Sequence, residues 1–150
     1  MGEEGIEPEG FFDYAVYPLE GVWDINEEAK KNFIGHIDKN DLEFNLMIRQ
    51  PDFVDEEYAI MMVEQVKKNK PHELLSKVKF EHITDGDCVQ MLHLGSYDNE
   101  PESFQKMEDF AGKENLSRIS KVHREIYLSD ARKVKPEKLR TVLRFKVENK

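Results

Sequence analysis

The sequence predicts an α+β fold in which a strand, a polar connection and a second strand occur twice. Three observations carry that expectation. Leu42, Phe44, Leu46 and Ile48 alternate with Glu43, Asn45, Met47 and Arg49, and Leu139, Thr141, Leu143, Phe145 and Val147 again fall at every second position, the period of a half-buried strand. Two stretches between them carry apolar residues at helical spacing. Finally, Tyr17-Pro18-Leu19-Glu20 before Asp41 to Arg49 is echoed by Glu125-Ile126-Tyr127-Leu128 before Lys138 to Lys146. The second copy has a strand and helix in front of it, making a β-α-β-β unit, whereas the first has too few preceding residues for both.

In chain order, residues 1–10 hold four glutamates, three glycines and a proline and read as a flexible segment ahead of one domain over 11–150. Within it we expect a partial first repeat at 11–51, a linking helix at about 52–72 and a complete second repeat at about 76–148. Phe11 to Trp23 reads as a strand that Pro18 and Gly21 interrupt or bulge. Asn26 can cap a short polar helix through Lys31. Leu42 to Ile48 is the first alternating strand, ended by Pro51. Asp52 or Asp55 can cap a helix near 55–70, with Tyr58, Met61, Met62 and Val66 on one stripe and Lys67, Lys68 and Lys70 suiting the negative end of its dipole. Val78 to His82 and Cys88 to Leu94 read as two strands, or one strand broken by the turn Thr84-Asp85-Gly86-Asp87. Pro101 sits at the start of a helix with Phe104, Met107, Phe110 and Ala111 as its buried stripe, ending near Asn115. Val122 to Leu128 and then Leu139 to Val147 complete the set.

At 150 residues the chain can bury a core, and 39% hydrophobic with 35% charged residues fits a solvated globule. A formal charge of −9 opposes a polyanionic partner, so no direct contact with nucleic acid is expected. The lone Cys88 has no intramolecular disulfide partner, which suits a reducing cytoplasm. No apolar run approaches the roughly 20 residues needed to span a bilayer, so no membrane partner is expected. The five histidines are dispersed, and neither a metal site nor a cofactor is expected.

The strand His123-Arg124-Glu125-Ile126-Tyr127 places His123, Glu125 and Tyr127 on one face, an acid between two rings. Such a carboxylate can form a cross-strand ion pair with Arg140 or Arg144. Alternatively, buried among Tyr127, Trp23 and Tyr97, it can bind an aromatic cation or act as a general base. Glu20 invites the same comparison: a bulge at Pro18 to Gly21 could turn it toward the same pocket, giving two acids around one water. Trp23 and Tyr97 serve equally well as packing or ligand contacts. His93, on a face with Val89 and Met91, reads first as a hydrogen-bonded structural histidine and second as a ligand contact.

The runs Leu46 to Pro51, Cys88 to Tyr97 and His123 to Asp130, with Lys138-Leu139-Arg140-Thr141, resemble the GyrI-like small-molecule-binding domain over roughly residues 11 to 147. The resemblance implies two β-α-β-β repeats enclosing an aromatic-lined cleft for planar lipophilic or cationic ligands, with an inner-strand glutamate matched here by Glu125 beside Tyr127. Tyr17 to Trp23 is similar to a stand-alone subgroup that hydrolyses cyclopropane-bearing DNA-alkylating compounds. That likeness implies Glu20 and Glu125 as catalytic acids and Trp23, Tyr97, Tyr127 and His93 as ligand contacts. The missing front of the first repeat implies a shortened form, or a further subunit of a homo-oligomer that fills the gap.

Overall fold

The computed structural model describes residues 9–25 and 42–150. The expected N-terminal segment lies mostly outside these residues, as does the short helix at Asn26 to Lys31. The described chain forms two compact units: residues 9–16 with Gln50–Thr84, and residues 17–25 and 42–49 with Asp85–Lys150.

The larger unit is an antiparallel sheet with one helix. Its elements are β1 (Leu19–Ile25), β2 (Leu42–Ile48), β3 (Cys88–Leu94), α1 (Glu100–Lys113), β4 (Leu116–Arg118), β5 (His123–Tyr127) and β6 (Arg140–Asn149). The strands run in the order β2-β1-β5-β6-β3, and β4 pairs with the far end of β6. The second repeat is therefore the expected β-α-β-β unit, while the first supplies the β1–β2 pair. The two halves join where β1 meets β5, with Gly21 opposite Glu125 and Trp23 opposite His123.

Alternation decides which face is dry. On β6, Thr141, Leu143, Phe145 and Val147 are buried while Arg140 and Lys146 are exposed. Because opposed residues in an antiparallel ladder share a face, Leu143 and Phe145 align with Met91 and Val89 of β3. Met107 and Ala111 of α1 close the core over them. The helix stripe runs Ser103, Met107, Ala111, four residues apart, so Phe110, expected on it, is 53% exposed. Glu100 and Glu102 in the first turn of α1 and Lys113 in the last suit its dipole. Asn115, at φ 60°, takes the left-handed turn into β4, a strand too short to register in the alternation.

The smaller unit gathers Phe11, Phe12 and Tyr14 edge-on around Phe53, with ring centroids 5.4, 5.3 and 5.8 Å away. The Phe11 to Trp23 strand thus begins only at Leu19, since its first aromatics cluster on one ring instead of pairing with a strand. The helix of this unit, Glu56–Asn69, is capped by Asp55, whose carboxylate accepts from the Tyr58 amide at 2.8 Å. Of its expected stripe only Tyr58 is buried. Val78 to His82 is not a strand: that stretch has no ladder partner, and Val78 is exposed.

Candidate functional site

The helix-covered face of β5 carries His123, Glu125 and Tyr127, as alternation requires. Glu125 is 6% exposed. The His123 imidazole stands two residues away on the same face, with Nε2 2.7 Å from Glu125 Oε2. The Phe104 ring of α1 meets that imidazole edge-on at 4.8 Å and holds its orientation. Glu125 is therefore no cross-strand partner of Arg140 or Arg144; Arg144 turns to the opposite face and donates to Asp85 at 2.9 Å.

Beside the acid lies an aromatic wall built across the junction of the halves. Trp23 Nε1 donates to Tyr127 Oη at 2.8 Å. Gly21 makes this approach possible: a Cβ at that position would lie 2.7 Å from Trp23 Nε1 and 3.2 Å from the Tyr127 hydroxyl. Phe44 of β2 lies tilted against Trp23 with centroids 4.8 Å apart, and Tyr97 meets Tyr127 edge-on at 6.2 Å. Burial, then the charge of Glu125, raises the hydroxyl pKa of both Tyr97 and Tyr127, so both rings keep their protons well above neutrality.

Sequence reading missed Glu100. It opens α1, where an acid ordinarily signals nothing beyond dipole compensation, yet its Oε2 is buried and makes no hydrogen bond. Burial, then the Glu125 charge and a hydrogen bond between the two carboxyls, pushes its pKa up to about 9. At neutral pH Glu100 is thus a neutral carboxylic acid next to Glu125. The only prior signal was its position four residues after Ser96, at the mouth of the loop that carries Tyr97.

Glu20 is placed elsewhere. The pairing from Leu19 to Ile25 is continuous, with no bulge at Gly21, so Glu20 opposes Ile126 on the face away from Glu125. There it accepts from Arg124 Nη1 at 2.9 Å, and Arg124 also donates to Asp85 at 3.0 Å. Those ion pairs hold β1, β5 and the lead into β3 together. His93 is buried. Its Nε2 donates to the Ser96 carbonyl at 2.8 Å, which leaves Nδ1 to accept from the Ser103 hydroxyl at 2.7 Å. This clamp fixes the loop from β3 to α1, and with it the positions of Tyr97 and Glu100.

Among the described residues no group of three or more His, Cys, Asp or Glu side chains is placed to hold a metal ion, and no helix is long and apolar enough to cross a membrane. What the arrangement offers chemically is the buried Glu125 carboxyl, the proton-holding Glu100 carboxyl beside it and a wall of four rings.

The same architecture occurs in solved structures. A hydrolase from Listeria innocua is 34% identical with a TM-score of 0.81, the match covering 95% of this chain and 68% of that one. An uncharacterized conserved protein from the same organism is 37% identical, with a TM-score of 0.80 and coverage of 93% and 68%. A further Listeria innocua hydrolase is 36% identical, with a TM-score of 0.79 and coverage of 95% and 69%. No curated protein matches the chain significantly. Residues 5–148 match the family model of the GyrI-like small molecule binding domain, and the chain belongs to that family.

Proposed function

We propose that the site takes up planar, lipophilic compounds, cationic ones above all, between the Trp23, Tyr127 and Tyr97 rings with Glu125 as counter-charge. The observation that carries this reading is the burial of Glu125 against an aromatic wall, with the His123 imidazole 2.7 Å from its carboxyl. A cation entering there meets a carboxylate that water barely screens, and ring faces that attract it by about 0.5–2 kcal/mol each.

A second reading is hydrolysis of a cyclopropane-bearing compound, and a specific observation favours it. Glu100, its proton held by burial and by the neighbouring Glu125 charge, stands in hydrogen-bond contact with Glu125, so a proton donor and a second carboxyl share one site. The two Listeria innocua relatives described as hydrolases point the same way. In this reaction Glu125 takes a proton from water as the water oxygen attacks the ring carbon. The strained C–C bond breaks, and its electron pair passes to a conjugated carbonyl oxygen. That oxygen receives the proton of Glu100, and transfer of a proton from Glu125 back to Glu100 resets the pair. The sum is addition of one water, with Glu100 in the role that the sequence had suggested for Glu20.

One set of incubations tests both. A planar aromatic cation such as an acridinium dye is titrated against the protein and its Glu125→Gln variant, following Trp23 fluorescence. Affinity falls about tenfold or more in the variant if Glu125 supplies the counter-charge; equal affinities reject that role. A cyclopropane-bearing aromatic compound is then followed by mass spectrometry. Water addition that both Glu100→Gln and Glu125→Gln abolish supports turnover, and no addition above buffer rejects it while leaving the binding result intact.

A further inference from the structure

Glu125 already has a basic side chain beside it before any ligand arrives. His123 Nε2 lies 2.7 Å from Glu125 Oε2, and the Lys121 carbonyl stands 3.5 Å from Nδ1. Both ring nitrogens thus face oxygens, and imidazole beside a carboxylate has one proton too few to serve both contacts. One further proton satisfies them, as imidazolium with carboxylate or as imidazole with carboxylic acid. In either arrangement the pair carries no net charge, and the proton belongs to the pair. The edge-on Phe104 ring keeps the imidazole turned to the acid. His123 is also the more exposed side chain of the two, so the shared proton exchanges with solvent through it while the carboxyl stays enclosed.

We propose that His123 makes uptake of a cationic ligand a proton exchange: the ligand's positive charge settles beside Glu125 as one proton leaves the His123–Glu125 pair for solvent. The inference rests on the reading that the site takes up cations with Glu125 as counter-charge. No covalent bond to the ligand forms or breaks, and charge balances, since one cation enters as one proton departs. With its proton the pair offers a cation no net attraction; without it, one negative charge is left beside the rings. Rising pH therefore strengthens cation binding, by at most tenfold per pH unit for one exchanged proton, and leaves an uncharged planar molecule of the same shape unaffected. The elements around the pair bring further groups toward it. Glu100 of α1 keeps its proton up to about 9, and burial holds those of Tyr97 and Tyr127 well above neutrality. Arg118 of β4 lies 5.2 Å from the centre of the Phe104 ring and pairs with Glu108 of α1 at 3.1 Å, and Lys121 reaches the same carboxylate at 3.8 Å. Opposite the pair, β1 presents Gly21 and Trp23, and β6 sets Leu143 against Glu125, none of which titrates.

Isothermal titration calorimetry of the full chain with N-methylacridinium, a cation whose charge does not depend on pH, tests the exchange. Runs at about pH 6 in two buffers of different ionisation enthalpy read the protons released per cation bound, and a series from about pH 5 to 8, the range in which imidazoles ordinarily change charge, reads the affinity. Release is expected to approach about one proton, and affinity to rise about tenfold or more across the series. In His123→Gln, whose amide can still donate to Glu125 but takes up no proton, release should vanish and the affinity should no longer follow pH. An uncharged anthracene derivative should bind independently of pH in both proteins. Nitrogen NMR locates the proton: adding the cation at the acidic end should move the His123 ring nitrogens toward the positions they take at high pH. Far-UV circular dichroism of the variant separates a lost proton site from lost folding. Cation binding without proton release, or with release that persists in His123→Gln, overturns the exchange and leaves uptake standing. A cation that does not bind at any pH rejects the uptake reading and the exchange with it.

Discussion

Residue by residue, the site depends on one missing side chain. Gly21 sits opposite Glu125 beneath the Trp23–Tyr127 hydrogen bond, with ordinary extended backbone, so its value is space and not conformational freedom. Gly21→Ala forces the indole away from the hydroxyl. The expected cost is about 1–3 kcal/mol, read by urea unfolding, together with a shift in the emission of Trp23, the sole tryptophan. Unchanged stability and emission would mean that the indole has room that the structure denies. The sequence pointed to Gly21 for the wrong reason: glycine in a strand suggests a bulge, and no local pattern distinguishes a bulge from a close approach by distant rings. Glu125, Trp23 and Tyr127 could be picked out because their faces follow from a period of two. Glu20 could not be placed, since its destination was decided by Arg124 and Asp85, the latter 65 positions further along the chain.

Among the elements, strands with clean alternation were legible to within two residues, as β2, β3 and β6 show. Helix α1 was equally clear from Pro101 and its apolar spacing, although its first residue proved the most informative. An acid at a helix start is common and exposed; only the fold reveals that this one is pressed against Glu125. The pH dependence follows from the sign of that shift. Glu100 holds its proton more tightly when folded, up to about 9, than in the unfolded chain, where a carboxyl titrates near 4.5. Its contribution is fully present below pH 4.5 and declines as pH rises toward 9, because the unfolded chain ionises first. Glu100→Gln, which cannot ionise, should therefore gain stability over wild type between pH 5 and 9, by on the order of 1–2 kcal/mol at pH 8 once partial solvation is discounted. Thermal melts across this range check it. Glu125, Tyr97 and Tyr127 interact with the same carboxyl, so the comparison is made between the variant and wild type at each pH. A difference that does not change with pH would show that Glu100 is already ionised when folded.

At the scale of the whole molecule, the duplicated strand pair could be recognised from the internal echo, whereas the junction of the two halves could not. Which strands meet is a matter of long-range pairing that composition and period leave open, and every ring of the site depends on it. The Trp23–Tyr127 bond joins residues 104 positions apart. Bringing such distant segments together costs loop-closure entropy that nearby pairings do not face. The second repeat can assemble from neighbouring segments, with β5 and β6 separated by a short connection, whereas β1 must find β5 across most of the chain. Folding order follows: the helix and the β3-β5-β6 sheet come first, and the aromatic wall closes last. In a stopped-flow refolding experiment the Trp23 signal should lag the far-UV signal, and emission that develops with the earliest phase would contradict this order. The proposed site is then complete only with the final long-range pairing, so an incompletely folded chain presents Glu125 without its wall.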